Sequence, residues 1–263
     1  MHAFYRREHN RFVASVHTRG PWDEGAQHGG PPSALLLRVM REAVAERAGP
    51  DFTIARLSTE FLRPVPIAPL QVGIDTLRSG RTAVRVTATL SADRDVMTAS
   101  ALFLRRSDTE DVAAARRPGH EDPAWPAPED VAPFVFPFFT SDEGYHRAVE
   151  LKLLDPPWGT TPVRFWGRPL LDLIEGEPTL PEENTVILAD AESGMGPPLD
   201  PFTYTYVNPD LTVYFARVPR PGYLGLDILS LVGDAGAGIS EARLRDDEGV
   251  FGRSAQATVV ARR

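Results

Sequence analysis

The chain has 263 residues, 42% of them hydrophobic and 24% charged, with 25 prolines, 21 glycines and no cysteine, which is enough apolar material for one large domain or two of roughly 100 to 130 residues. The lack of cysteine excludes disulfide scaffolds, thiolate nucleophiles, Fe–S clusters and cysteine zinc sites together, and leaves catalysis to oxygen and nitrogen side chains. A formal net charge of −8 excludes a general nucleic-acid surface, which needs a cationic field to displace counterions from phosphates, and points to a small-molecule ligand.

The opening ten residues are polar, without a signal-peptide core, and no apolar run approaches the roughly 20 residues of a membrane helix; a cytoplasmic protein without a membrane span is expected. Residues 12–17 alternate as a short strand. The loop Gly20-Pro21-Trp22-Asp23-Glu24-Gly25 then leads to His28-Gly29-Gly30-Pro31-Pro32-Ser33, which opens a helix over 34–48. Leu35, Leu36, Leu37, Val39, Met40, Ala43 and Val44 make its first turns apolar almost all round, so it must be wrapped. The prolines are tolerated there because first-turn amides lack intrahelical acceptors. Strand-like runs follow at 52–62, 70–77, 82–90 and 96–105, broken by Pro64-Val65-Pro66, Ser79-Gly80 and Ala92-Asp93-Arg94-Asp95. One buried helix followed by an antiparallel meander is the pattern.

From 107 the chain turns rich in Pro, Ala, Asp and Glu, and this stretch ends in Phe134, Phe136, Phe138 and Phe139; it reads as a linker over 107–140 whose end docks. Strand-like 145–154 and 163–174 come next, then a second apolar helix over about 182–193, then strands at 202–207, 211–218, 223–231, 238–244 and 250–261. The order has recurred. Adding 154 to first-half positions lands on like residues: Phe61 and Phe215, Arg63 and Arg217, Leu70 and Leu224, Ile74 and Ile228, Leu90 and Leu244, Val96 and Val250, Ser100 and Ser254. An ungapped offset with turns matched to turns predicts two copies of one domain, 1–106 and 141–263, packed as a pseudo-dimer.

A long buried helix gripped by an antiparallel sheet, twice over, resembles the double-hotdog fold, an α+β class. His28-Gly29-Gly30 before its apolar helix is similar to the start of the hotdog helix of acyl-CoA thioesterases, and Leu188-Ala189-Asp190-Ala191 to the middle of that helix, where the family carries its acid. The run from Asn208 to Arg217 and the run Gly252-Arg253-Ser254-Ala255-Gln256 resemble the second half of the type II, TesB-like acyl-CoA thioesterases. That family holds its attacking water with an Asp, a Thr or Ser, and a Gln. Matched by position, the Asp falls on Asp190, the Gln on Gln256 and the hydroxyl position on Asn208, a departure, although an amide also offers a donor and an acceptor.

The resemblance implies hydrolysis of an acyl-CoA or acyl carrier thioester without metal or cofactor, with Asp190 as general base or as direct nucleophile. The amides at Gly29 and Gly30 are the candidate oxyanion site, with His28 beside them. Arg63 and Arg217 are candidate contacts for the CoA phosphates. Leu37 stands where the first half would need its acid, and Leu102 opposite Gln256, so one composite site between the halves is expected. A homodimer or higher homo-oligomer is also expected. The rival reading is a catalytically lapsed acyl-CoA or lipid-binding protein, motivated by Asn208. An enoyl-CoA hydratase is set aside because the second half has no histidine after His146.

Overall fold

Alternating apolar residues build most of the molecule into one continuous sheet. The computed structural model describes residues 2–114, 124–139, 141–155, 157–196 and 199–263; within the expected 107–140 linker, positions 115–123 and 140 lie outside the described residues. In the first half β1 (Ala3–Glu8) and β2 (Arg11–Ala14) precede α1 (Gly30–Ala48), and β3 (Phe52–Phe61), β4 (Pro69–Ser79), β5 (Ala83–Ser91) and β6 (Asp95–Arg105) follow it. After a short helix α2 (Glu110–Ala114), the second half runs through α3 (Tyr145–Ala148), β7 (Val149–Leu153), β8 (Val163–Pro169), β9 (Asp172–Ile174), α4 (Pro181–Ala189) and α5 (Glu192–Met195). It closes with β10 (Tyr204–Val207), β11 (Asp210–Phe215), β12 (Leu224–Val232), β13 (Ala237–Asp246) and β14 (Gly249–Arg262).

The strands lie in the order β7-β8-β12-β13-β14-β11-β3-β6-β5-β4-β2-β1-β9, with β10 paired to β14. Reading outward from the centre, β11-β14-β13-β12-β8-β7 mirrors β3-β6-β5-β4-β2-β1. The two halves join where β11 pairs antiparallel with β3, and the register puts Thr212 opposite Ser58, with a 3.0 Å hydrogen bond between their hydroxyls. Those two positions differ by 154, the repeat offset. The ladder therefore turns about a local two-fold axis through this pair, as an isologous interface would. This is the doubled α+β architecture that the resemblance implies. Among the described residues no helix is long and apolar enough to cross a membrane.

Inward positions Val84, Val86, Ala88 and Leu90 of β5 and Leu224, Leu226 and Ile228 of β12 pack into a core that holds α1 and α4. The first turns of α1 are buried on all sides, as their composition requires. Several elements differ from expectation: β1 forms where no strand was expected, the strand expected over 12–17 ends at Ala14, and the run over 163–174 divides into β8 and β9. The stretch read as a strand over 145–154 begins with the helical turn α3, which follows Gly144 at φ 144° and brings the Tyr145 ring inside. The helix expected over 182–193 stops at Ala189; the chain turns at Asp190 and Ala191 and resumes as α5. The linker's end docks as expected, with Phe134 bridging to Leu151 in β7 and Lys152 donating to the Pro128 carbonyl at 2.7 Å.

Candidate active site

The opening of α1 and the end of α4 meet at backbone distance. A Cβ at Gly30 would collide with the Ile187 carbonyl, and one at Gly29 would lie 2.8 Å from Asp190 Oδ1. Glycine is needed here for close approach. This crossing sets Asp190, from the second half, against the loop before α1, from the first. That loop is pinned: His28 donates its amide to the Thr18 carbonyl at 2.7 Å, Tyr5 donates to Gln27 Oε1 at 2.5 Å, and Gln27 Nε2 donates to the Pro66 carbonyl.

Asp190 is 4% exposed. His28 Nδ1 lies 2.9 Å from its Oδ2, Asn208 Nδ2 donates to its Oδ1 at 2.8 Å, and the Gly30 amide, which donates to His28 Nδ1 at 3.3 Å, lies near enough to favour the charged carboxylate. Burial alone would raise this carboxyl; the His28 ring, by attraction and hydrogen bond, with Asn208 and Gly30, outweighs it and holds Asp190 below its usual range. Asp190 also lines the adjoining cleft.

The His28 ring lies flat on Tyr145, with centroids 3.6 Å apart and planes 4° apart, and Tyr145 donates to the Ile187 carbonyl at 2.9 Å. Trp22, Phe136, Phe138, Tyr145 and Tyr206 wall the cleft over Asp190. A second groove lies along Gly29, Phe61, Arg63, Val65 and Val207, and it shares Trp22 and Asn208 with the cleft.

Two family models match the chain. An acyl-CoA thioesterase N-terminal domain matches residues 18–104, and an acyl-CoA thioesterase C-terminal domain matches residues 120–260. The chain belongs to the acyl-CoA thioesterase family. Solved structures share its fold at low identity. A hot dog fold protein of unknown function from Alicyclobacillus acidocaldarius has a TM-score of 0.74 at 16% identity, covering 98% of this chain and 95% of that one. A tesB protein from Mycobacterium avium subsp. paratuberculosis gives 0.69 at 19%, with 98% and 95% covered. The acyl-CoA thioesterase II TesB2 of Mycobacterium marinum gives 0.61 at 14%, with 98% and 94% covered. No match is found among curated proteins.

In this acyl-CoA thioesterase family member the structure brings Asp190, Asn208, His28, Gly29 and Gly30 together. It places Gln256 behind them: the side chain is buried and donates to the Ala189 carbonyl at 3.2 Å, and it is absent from the lining of the cleft. The arginines turn out to share a structural task. Arg63 Nη1 donates to the Asp95 carbonyl at 2.6 Å and Arg217 Nη2 to the Gly249 carbonyl at 3.0 Å, equivalent positions in the two copies. Arg217 also forks onto Asp246 with two bonds of 2.6 Å; Arg63 is exposed and lines the groove. Sequence reasoning missed Tyr145 and Glu192. The second is an acid two places after Asp190 in an apolar segment, the same signal that singled out Asp190.

Proposed function

We propose that the chain is an acyl-CoA thioesterase with one active site, built where its two domains, 1–106 and 141–263, meet. The observation that carries this reading is the buried, ionised Asp190 that lines the cleft where it adjoins the groove. The acyl group occupies the aromatic cleft and the thiol carrier lies along the groove past Arg63, so that the thioester carbonyl rests at the junction. Asp190 takes a proton from water as the water oxygen attacks the carbonyl carbon. The Asn208 amide orients that water, a task compatible with its place in the family's hydroxyl position. The Gly30 amide is engaged by His28 Nδ1. The Gly29 amide, with no hydrogen bond among the described residues, is the donor for the oxyanion. Collapse of the tetrahedral intermediate breaks the carbon–sulfur bond, and the proton on Asp190 passes to the departing thiolate. Gln256 supports this arrangement from behind.

The experiment is hydrolysis of short, aromatic and long-chain acyl-CoA thioesters with thiol release monitored. Asp190→Asn is expected to lower kcat by about 10² to 10⁴; a variant as active as the parent overturns the assignment. Binding of acyl-CoA, seen as a raised Tm without turnover, selects the lapsed binding protein instead. A second reading returns through one contact. The hydratase was set aside for want of a histidine, yet His28 of the first half supplies one at Asp190. Hydration of an enoyl-CoA adds water across the double bond and frees no thiol, so loss of enoyl absorbance without thiol release selects it.

A further inference from the structure

A second buried acid lies beside the first, and the hydrolytic scheme does not use it. Glu192 opens α5 with no exposed surface. Its Oε2 accepts a hydrogen bond from Ser254 Oγ at 2.6 Å. Its Oε1 has no partner, and neither has the Oε1 of Gln256, although the Gln256 side chain lies within hydrogen-bond reach of the carboxyl. Two buried acceptors left unpaired on neighbouring side chains are costly. Turning the Gln256 amide over would satisfy Glu192 but set an oxygen against the Ala189 carbonyl, which Gln256 Nε2 now satisfies. A single proton on Glu192 removes the conflict: the neutral acid donates from Oε1 to Gln256 Oε1 and still accepts from Ser254 at Oε2.

The surroundings agree. Asp190 from the preceding turn and Glu241 from β13 are the charged groups acting on Glu192, and both are acidic; β14 offers Ser254 and Gln256. Among the described residues no cation pairs with it. Burial, reinforced by those two acids, pushes its carboxyl up to about 8.

We infer that Glu192 is a positioning residue that works in its neutral form: it fixes the Gln256 amide on the Ala189 carbonyl, and so the turn that presents Asp190. Its ionisation in alkaline solution frees that turn and sets a second negative charge beside Asp190. Only the kinetic readout of this inference rests on the thioesterase reading. Glu192→Gln keeps both hydrogen bonds and cannot ionise, whereas Glu192→Leu keeps the volume and neither bond. Thiol release from decanoyl-CoA and benzoyl-CoA is measured from about pH 6 to about pH 10. Glu192→Gln is expected to hold kcat within about threefold of the parent near neutrality and to lose the alkaline fall near pH 8; Glu192→Leu is expected to lose about 10- to 100-fold in kcat with KM little changed. The Tm of Glu192→Gln relative to the parent should rise with pH between about 4.3 and about 8, because over that interval the unfolded parent gives up a proton that the folded parent keeps. A parental alkaline fall in Glu192→Gln, an unchanged kcat in Glu192→Leu, or a Tm difference flat in pH overturns the inference. If the parent turns over no thioester, the hydrolase reading fails, and the Tm series still decides whether Glu192 holds its proton.

Discussion

At the scale of single residues, the site is an exercise in acceptor accounting. Asp190 remains ionised while buried because His28, Asn208 and Gly30 surround it with positive charge and donors, and Glu192 remains protonated because burial and the nearby acids Asp190 and Glu241 outweigh the hydrogen bonds of Ser254 and Gln256. Two acids two places apart on one turn thus hold opposite charge states, which no reading of residue type could separate. Gly30 is the position where a single methyl group should matter most. A Gly30→Ala side chain meets the Ile187 carbonyl, and backbone cannot yield as a side-chain tip can. The expected outcome is loss of about 1–3 kcal/mol in urea denaturation and a fall in kcat larger than any change in KM, since displacing α1 moves the Gly30 amide off His28 and away from Asp190. Unchanged stability and kcat would show that the helices part without effect.

Among the elements, α1 and α4 are held together by charge as well as apolar packing. Arg38 on α1 donates to both oxygens of Glu183 on α4 at 2.7 Å, to Glu177 at 2.9 Å and to the Pro178 carbonyl. Glu183 has no exposed surface, so removing its partner strands a buried charge. Arg38→Met is expected to cost about 3–5 kcal/mol in chemical denaturation, and the double change with Glu183→Leu to recover most of that loss, because replacing a whole buried pair is far milder than breaking it. Equal loss in the single and double variants would mean that packing, and not charge, is what Arg38 supplies. The all-round apolar face of α1 was legible in Leu35, Leu36 and Leu37; the break after Ala189 was not, since Asp190 and Ala191 carry no helix-stopping signal and the turn is stabilised by Gln256 on the Ala189 carbonyl from a distant strand.

The whole molecule is organised by the two-fold relation at Ser58 and Thr212. The β3–β11 ladder, the Arg38 network and the exchange of β9 onto β1 all cross between the halves, so the covalent link is a small part of what holds them. A chain cleaved at a protease site engineered after Thr109 is therefore expected to elute at the size of the intact protein and to keep its thioester hydrolysis. Separation of the fragments in size-exclusion chromatography would show that the linker is required for the pairing. The site depends on the same seam, because its acid comes from one half and its glycines and imidazole from the other.

Much of this architecture could be read from residues alone. The 154-residue offset, the apolar helix and the alternating strands specify two copies of a helix-on-sheet unit, since periodicity and repetition are local properties of a sequence. Asp190 and the glycine pair stood out as well, as an acid in an apolar run and as glycines ahead of a helix, whereas Asn208 was reached only through the family resemblance. What the folded chain alone decided was pairing: His28 with Asp190, Gln256 with Ala189 and Glu192, Arg217 with Asp246. Each partner lies far away in sequence, and hydrogen bonds and desolvation act over a few ångströms of space. The charge of a buried acid is set by the neighbours that folding brings to it.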